Sequence, residues 1–184
     1  IDVRYGDRTT TRYGGTDRVT HEMLVRSRMS MLHSSTFVFR RTSLLGPIGL
    51  VSEEIPGSQN EDWELLLRAS AVTAITHIDR PLVTVVFGQA SHFSRNWDTK
   101  IGSAQWILDH HPDVAANDRG AARLHGQIAF AHACKGERRA AWRSAGEALR
   151  RQPTQWRAPL ASVVALYPRS GGWVLGALHR MGRG

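Results

Sequence analysis

Asn60-Glu61-Asp62-Trp63-Glu64-Leu65-Leu66-Leu67-Arg68-Ala69-Ser70-Ala71 is the stretch on which the reading of the fold turns. Trp63, Leu66, Leu67 and the small Ser70 and Ala71 recur at helical spacing, and two acids occupy the first turn, where the helix dipole favours negative charge. The pattern predicts a helix over 62–71, with Asn60 or Ser58 available to cap it. The preceding Glu53 to Asn60, with Pro56-Gly57-Ser58 at its centre, reads as a polar loop. Glu61 and Asp62 therefore stand at a loop-to-helix junction, where a carboxylate is rigidly based and open to solvent.

Working outward from this helix, Ala74 to Ile78 and Pro81 to Phe87 read as two strands around a tight Asp79-Arg80-Pro81 turn. Upstream, Thr36-Phe37-Val38-Phe39 is a short β-rich run that feeds a short helix at 40–45, which Gly46-Pro47-Ile48-Gly49 breaks. Thr20 is placed to cap a helix whose apolar stripe is Met23, Leu24 and Met31. Asp2 to Tyr5 reads as a strand, and Gly6 to Asp17, rich in Thr, Gly and Arg, as an exposed loop. Ile1-Asp2-Val3-Arg4-Tyr5 carries neither an initiator Met nor a signal-peptide pattern, and the expectation is an N-terminus cut from a longer chain.

Beyond Ser94 the pattern is helical throughout. Trp97 to His111 is stopped by Pro112, Arg119 to Lys135 ends at Gly136, Arg138 to Gln152 ends before Pro153, and Thr154 to Tyr167 follows. Small residues at Ala129, Ala133, Ala140, Ala141 and Ala145 let the middle pair approach closely. The expected organisation is an α/β unit over 1–95 and an all-α extension over 96–184.

Composition narrows the function classes. Hydrophobic residues are 41% and charged residues 22% of the 184, which argues against wholesale disorder or a fibrous class. The one cysteine, Cys134, can neither close an internal disulfide nor build a thiolate zinc cage, which fits a reducing compartment. No apolar run approaches the roughly 20 residues that span a bilayer. The net charge of +8 is uneven: residues 101–184 hold twelve basic against five acidic residues, whereas 1–100 hold twelve against eleven. Such a block suits a polyanion or an anionic membrane surface, but basic residues are not interleaved with aromatics as in a nucleic-acid module. Nucleic acid is therefore not an expected partner.

Phosphate-cradling and hydrolase signatures are absent: no Gly-x-x-x-x-Gly-Lys-Ser/Thr, no Gly-x-Gly-x-x-Gly after a strand, no His-Glu-x-x-His, no Gly-x-Ser-x-Gly. What the chain does carry is an ordered set: His33-Ser34-Ser35-Thr36-Phe37-Val38-Phe39-Arg40-Arg41, then Gly49, then Asn60 to Arg68, then Asp79-Arg80-Pro81-Leu82-Val83. Over His33 to Arg95 this set resembles the C-terminal half of family 2 glycosyltransferases with the GT-A fold, and the helices that follow resemble the tails of actinobacterial members. The resemblance implies an α/β fold, the C-terminal portion of a Rossmann-like GT-A domain, followed by an α-helical tail. It implies sugar transfer from a nucleotide-sugar donor to a glycan or lipid-linked acceptor of the cell envelope, with inversion, in the cytoplasm or at the inner face of the plasma membrane. Asp62 takes the place of the family's general base, and Glu61 stands beside it.

The same resemblance puts Ser34, Ser35, Thr36 and Trp63 at the sugar site and His92 where some members bring a histidine to the metal. A divalent cation, Mg or Mn, would be held mainly by the N-terminal half, because the family's Asp-x-Asp occurs nowhere in these residues. Each residue also has a plainer role. Asp62 could serve only the helix dipole, the hydroxyls of 34–36 could close a local turn, and Trp63 could pack in the core. The rival reading for the chain is a non-catalytic module whose basic helices dock on an anionic membrane or an acidic partner.

Overall fold

A computed structural model describes residues 1–87, 96–171 and 174. The chain divides into two compact units, Ile1–Ser94 and Arg95–Gly184. Unit 1 is mixed α/β, and the described part of unit 2 is helical.

In unit 1, β1 (Asp2–Tyr5) pairs antiparallel with β2 (Arg8–Thr11) and parallel with β5 (Thr84–Phe87), giving the strand order β2-β1-β5. Val3 opposes Thr10 on one side and Val85 on the other, and it is fully buried. The segment expected as an open loop thus contains a strand. Gly6 takes a φ of 56° at the reversal, and the threonines that follow have the β-branching that suits an extended edge. A second, two-stranded sheet pairs β3 (Arg18–Val19) with β4 (Ile75–Thr76), Val19 opposite Ile75.

Residues 74–87 accordingly do not form a hairpin. β4 and β5 belong to different sheets, and Asp79 between them is occupied elsewhere: its carboxylate accepts hydrogen bonds from the backbone N–H of Gly14 (2.6 Å) and Gly15 (3.0 Å). His77 Nδ1 donates to the Thr16 carbonyl at 2.7 Å, and a Cβ on Gly14 would lie 2.6 Å from the His77 ring. The 14–17 loop is thereby fastened to 77–79 at a point where only glycine fits. The expected strand at 36–39 is also absent. A 3-10 turn spans Ser34–Thr36, in which Thr36 N–H and Oγ1 both donate to the His33 carbonyl, and the chain then runs extended without a ladder partner. Local hydroxyl bonding has outcompeted strand pairing there.

Among its described residues unit 1 also has the α-helices α1 (His21–Arg26), α2 (Arg41–Leu45) and α3 (Glu61–Val72). Thr20 Oγ1 caps α1 by accepting from Met23 N–H. α1 is shorter than the apolar stripe suggests, and Met31 lies outside it. Ser27, extended at φ −151°, takes the chain off the helical path, and Met29 follows at φ 48° with its side chain buried. Leu24 and Val25 of α1 bury against α3, whose Trp63, Leu65, Leu66 and Leu67 are all buried.

Unit 2 contains α4 (Trp97–His110), α5 (Pro112–Ala116), α6 (Asp118–Lys135), α7 (Arg138–Arg151) and α8 (Arg157–Leu166). Asn96 and Asn117 cap α4 and α6 through their side-chain oxygens, and Gly136, at φ 80°, ends α6 in the left-handed conformation that favours glycine. Ala129 and Ala133 of α6, Ala141, Ala145 and Ala148 of α7, and Ala158 and Ala161 of α8 form one buried cluster with Phe130 and Val164. Side chains this small let the helix axes come close, so the unit packs by proximity more than by bulk.

Charge holds α7 as well. Glu147 accepts from Arg150 (2.7 and 3.1 Å) and Arg151 (2.8 Å), and these two guanidiniums, Arg150 foremost, pull its carboxyl from 4.5 down to about 2. A carboxyl depressed in the folded state stabilises the fold above its unfolded value and loses that contribution as pH falls toward the folded one. Acidification from about pH 4.5 to 2 is therefore expected to destabilise the wild-type protein more than Glu147→Gln. Urea midpoints of the two proteins across that window check this, and parallel losses would refute it.

Candidate functional site

α1 and α3 run antiparallel and are joined by three polar bonds in sequence order. His21 Nδ1 lies 2.9 Å from Ser70 Oγ at one end, Trp63 Nε1 donates to the Leu24 carbonyl at 3.0 Å in the middle, and Arg28 reaches Asp62 at the other end. Arg28 Nη2 stands 2.9 Å from both carboxylate oxygens of Asp62, and Asp62 Oδ1 also accepts the Trp63 backbone N–H at 2.8 Å. The Asp62 side chain keeps 21% of its surface exposed. A carboxylate has about four lone-pair positions. Oδ1 takes two donors and Oδ2 one, which leaves Oδ2 able to receive a further hydrogen bond from solvent or a bound hydroxyl.

The approach to Asp62 has three left-handed residues within four positions. Gly57, Ser58 and Asn60 have φ of 59°, 53° and 75°, all left-handed. The expected side-chain cap does not form: Asn60 occupies the N-cap position in the left-handed conformation, without a cap bond from its amide. Its backbone carbonyl opens the helix instead, accepting from Glu64 N–H at 2.9 Å, and the turn presents Glu61 and Asp62 at the first two helical positions. Glu61 is partly exposed and makes no polar contact among the described residues, whereas Asp62 is tethered.

Two residues along, Glu64 anchors the helix from below. Its side chain is 3% exposed and makes a two-point ion pair with Arg68, Nε to Oε1 at 2.6 Å and Nη2 to Oε2 at 2.8 Å. Arg68 also donates to the carbonyls of Ile48 and Leu50, the latter at 2.9 Å. Gly49 sits between them at φ 84°, where a Cβ would lie 3.0 Å from Arg68 Nη1. Gly49 and the Glu64–Arg68 spacing are therefore one structural device, a loop clamped onto α3.

Beside α3 is a cavity of about 340 Å³ lined by Met31, Thr36, Phe37, Phe39, Leu66, Ile75, His77 and Arg80, among others. Leu66 is one helical turn beyond Asp62, on the same side of α3. Phe37 and Phe39 meet edge to face at 6.2 Å on the cavity wall. Of the three hydroxyl residues expected at a sugar site, only Thr36 lines this cavity, and its Oγ1 donates to the His33 carbonyl. Ser34 and Ser35 are exposed and lie off it. The expectation that Trp63 offers a stacking face is corrected by its burial. At 1% exposure the ring packs between α1 and α3, and its one polar atom is satisfied by Leu24. His92 lies outside the described residues.

Sequence reasoning missed Arg28 and the Glu64–Arg68 clamp. Arg28 is 34 positions from Asp62 and carries no local pattern that announces the pair, whereas a Glu four residues before an Arg on one helix was a readable signal. In unit 2, burial pushes the Cys134 thiol up to about 11, which keeps it protonated and unreactive near neutral pH. Among the described residues no three of His, Cys, Asp and Glu converge where a cation could sit. No helix among the described residues is long and apolar enough to cross a membrane. No family model, no curated protein and no solved structure matches the chain.

Proposed function

We propose that this chain is the acceptor-side portion of an inverting, GT-A-type glycosyltransferase, with Asp62 as its general base. The observation that carries the reading is the tethered, part-exposed Asp62 carboxylate at the start of α3, with a free lone-pair position on Oδ2 and an apolar-walled cavity one turn away. The ordered motifs that suggested the family all bear on this helix or its surroundings. Residues 36–39 wall the cavity, Gly49 is clamped by Arg68 of α3, and Asp79 pins the 14–15 loop.

In the reaction, Oδ2 accepts the proton of the acceptor hydroxyl as that oxygen attacks the anomeric carbon from the face opposite the leaving group. The bond from the anomeric carbon to the phosphate oxygen breaks, its electron pair leaves with the nucleoside diphosphate, and the configuration inverts. Arg28 and the Trp63 N–H hold the carboxylate against rotation during this transfer, which keeps the base within reach of the attacking oxygen. Donor nucleotide and cation are assigned to residues outside this chain, since no Asp-x-Asp is encoded in it.

The full-length gene product, supplied with nucleotide-sugar donors and a panel of glycan and lipid-linked acceptors, is expected to release nucleoside diphosphate only when a suitable acceptor is present. Carbon NMR of the product should show the anomeric configuration opposite to that of the donor. Retention of configuration would exclude single displacement by the acceptor hydroxyl with Asp62 as its base.

A further inference from the structure

The surplus of positive charge in unit 2 is less free than its sequence suggests. On α7, Arg138 donates to the carbonyls of Ala165 and Leu166, and Arg150 and Arg151 are drawn onto Glu147. Arg151 also donates to the Ala115 carbonyl. Arg139 and Arg143 differ: both are exposed, and among the described residues neither has an ion-pair partner. The one acid on α7, Glu147, is already engaged, so nothing on the helix neutralises this pair.

Their neighbours on the helix surface are not polar. Arg139, Trp142, Arg143, Gly146, Leu149 and Arg150 follow the three-and-four spacing of one helical stripe and fall within an arc of about 120°. Trp142 is 48% and Leu149 36% exposed, and a Cβ on Gly146 would meet nothing within 4 Å. The opposite side of α7, with Ala141, Ala145 and Ala148, is buried in the helical core. Arginines therefore line one edge of the outward stripe, and a tryptophan and a leucine seven residues apart line the other, with open space between.

We propose that this face of α7 docks on an anionic lipid surface, with Arg139 and Arg143 meeting headgroup phosphates and Trp142 and Leu149 seated at the headgroup–acyl boundary. Charge complementarity supplies the attraction, and the exposed indole and Leu149 beside the arginines distinguish a lipid interface from a soluble acidic partner. Cationic side chains beside Trp and Leu on one helical face are the arrangement that interfacial helices use. A purely ionic partner would leave Trp142 uncompensated in water. The proposal is independent of the glycosyltransferase reading.

The test is sedimentation of the full chain with vesicles of phosphatidylcholine alone and of phosphatidylcholine mixed with phosphatidylglycerol at roughly three to one. Binding is expected only to the mixed vesicles and should weaken as salt is raised. Each arginine near the surface is worth about fivefold, so Arg139→Gln with Arg143→Gln should weaken binding by about 25-fold, while the corresponding lysine pair retains it. Trp142→Ala should also weaken vesicle binding and leave binding to heparin, a soluble polyanion, unchanged. All three positions are exposed, and circular dichroism confirms that each variant is folded. No binding to mixed vesicles would overturn the proposal, as would binding that is indifferent to Trp142→Ala and equally strong to heparin, which would mark an acidic macromolecule as the partner.

Discussion

Arg68→Met is expected to destabilise unit 1 by about 3 kcal/mol, the largest loss from any single change considered for this fold. The Glu64 carboxylate is 3% exposed and receives a two-point ion pair from Arg68, so the substitution takes that counter-charge away from a buried acid. It also leaves the Ile48 and Leu50 carbonyls without the guanidinium that ties the Gly49 loop to α3. Removing both charges is a different matter, since no unpaired ion then remains in the interior. Glu64→Leu combined with Arg68→Met should cost much less than Arg68→Met alone. Urea denaturation of the three proteins measures this, and a loss below about 1 kcal/mol for Arg68→Met would reduce the pair to an ordinary surface bridge.

How much of this was legible in the sequence differs between the two units, for a physical reason. In unit 2 the elements are set by local signals, apolar periodicity interrupted by Pro112, Gly136 and Pro153, and the helices lie within a few residues of expectation. The short α5 between Pro112 and Ala116 went unforeseen, because Pro112, read as a stop, also starts a helix at its first position. In unit 1 the long helix α3 was legible for the same reason. Strands at Asp2–Tyr5 and within 74–78 and 81–87 were legible too, but their pairing, and β2 and β3, were not, because pairing is decided by distant partners. β1 finds β5 some 80 positions away, and β4 pairs with β3 instead of with its neighbour in the chain.

The site divides along the same line. Asp62 at a loop-to-helix junction was readable from its own neighbourhood, and so was the turn-forming tendency of Ser34 to Thr36. Whether Trp63 faces outward depends on how α1 packs, and the hydrogen bond to Leu24, 39 positions away, has no local signature. Arg28 lies between the end of α1 and the left-handed turn at Met29, and it becomes a partner of Asp62 only once α1 and α3 lie antiparallel. The function rests on that one long-range contact being catalytic in consequence as well as structural in form.

Asp62→Asn separates these two roles. The amide keeps the size of the carboxylate and an oxygen for the Trp63 N–H, but it cannot take a proton from an acceptor hydroxyl. A positioned general base contributes roughly 10²–10⁴ in rate, and that factor should vanish from turnover. Loss of the ion pair with Arg28, whose side chains are 39% and 21% exposed, should cost at most about 1 kcal/mol of stability. Glu61→Gln, which removes an untethered neighbour, should cost less in turnover than Asp62→Asn.

The most direct test of the proposed function is turnover per folded molecule of Asp62→Asn and wild type in the gene product that contains this chain, with donor affinity and melting temperature taken on the same preparations. The account predicts a fall of roughly 10²–10⁴ in turnover at nearly unchanged donor affinity. Wild-type turnover in the Asn variant, with only a modest drop in melting temperature, would contradict it and leave Asp62 as a carboxylate that serves the helix and Arg28 alone.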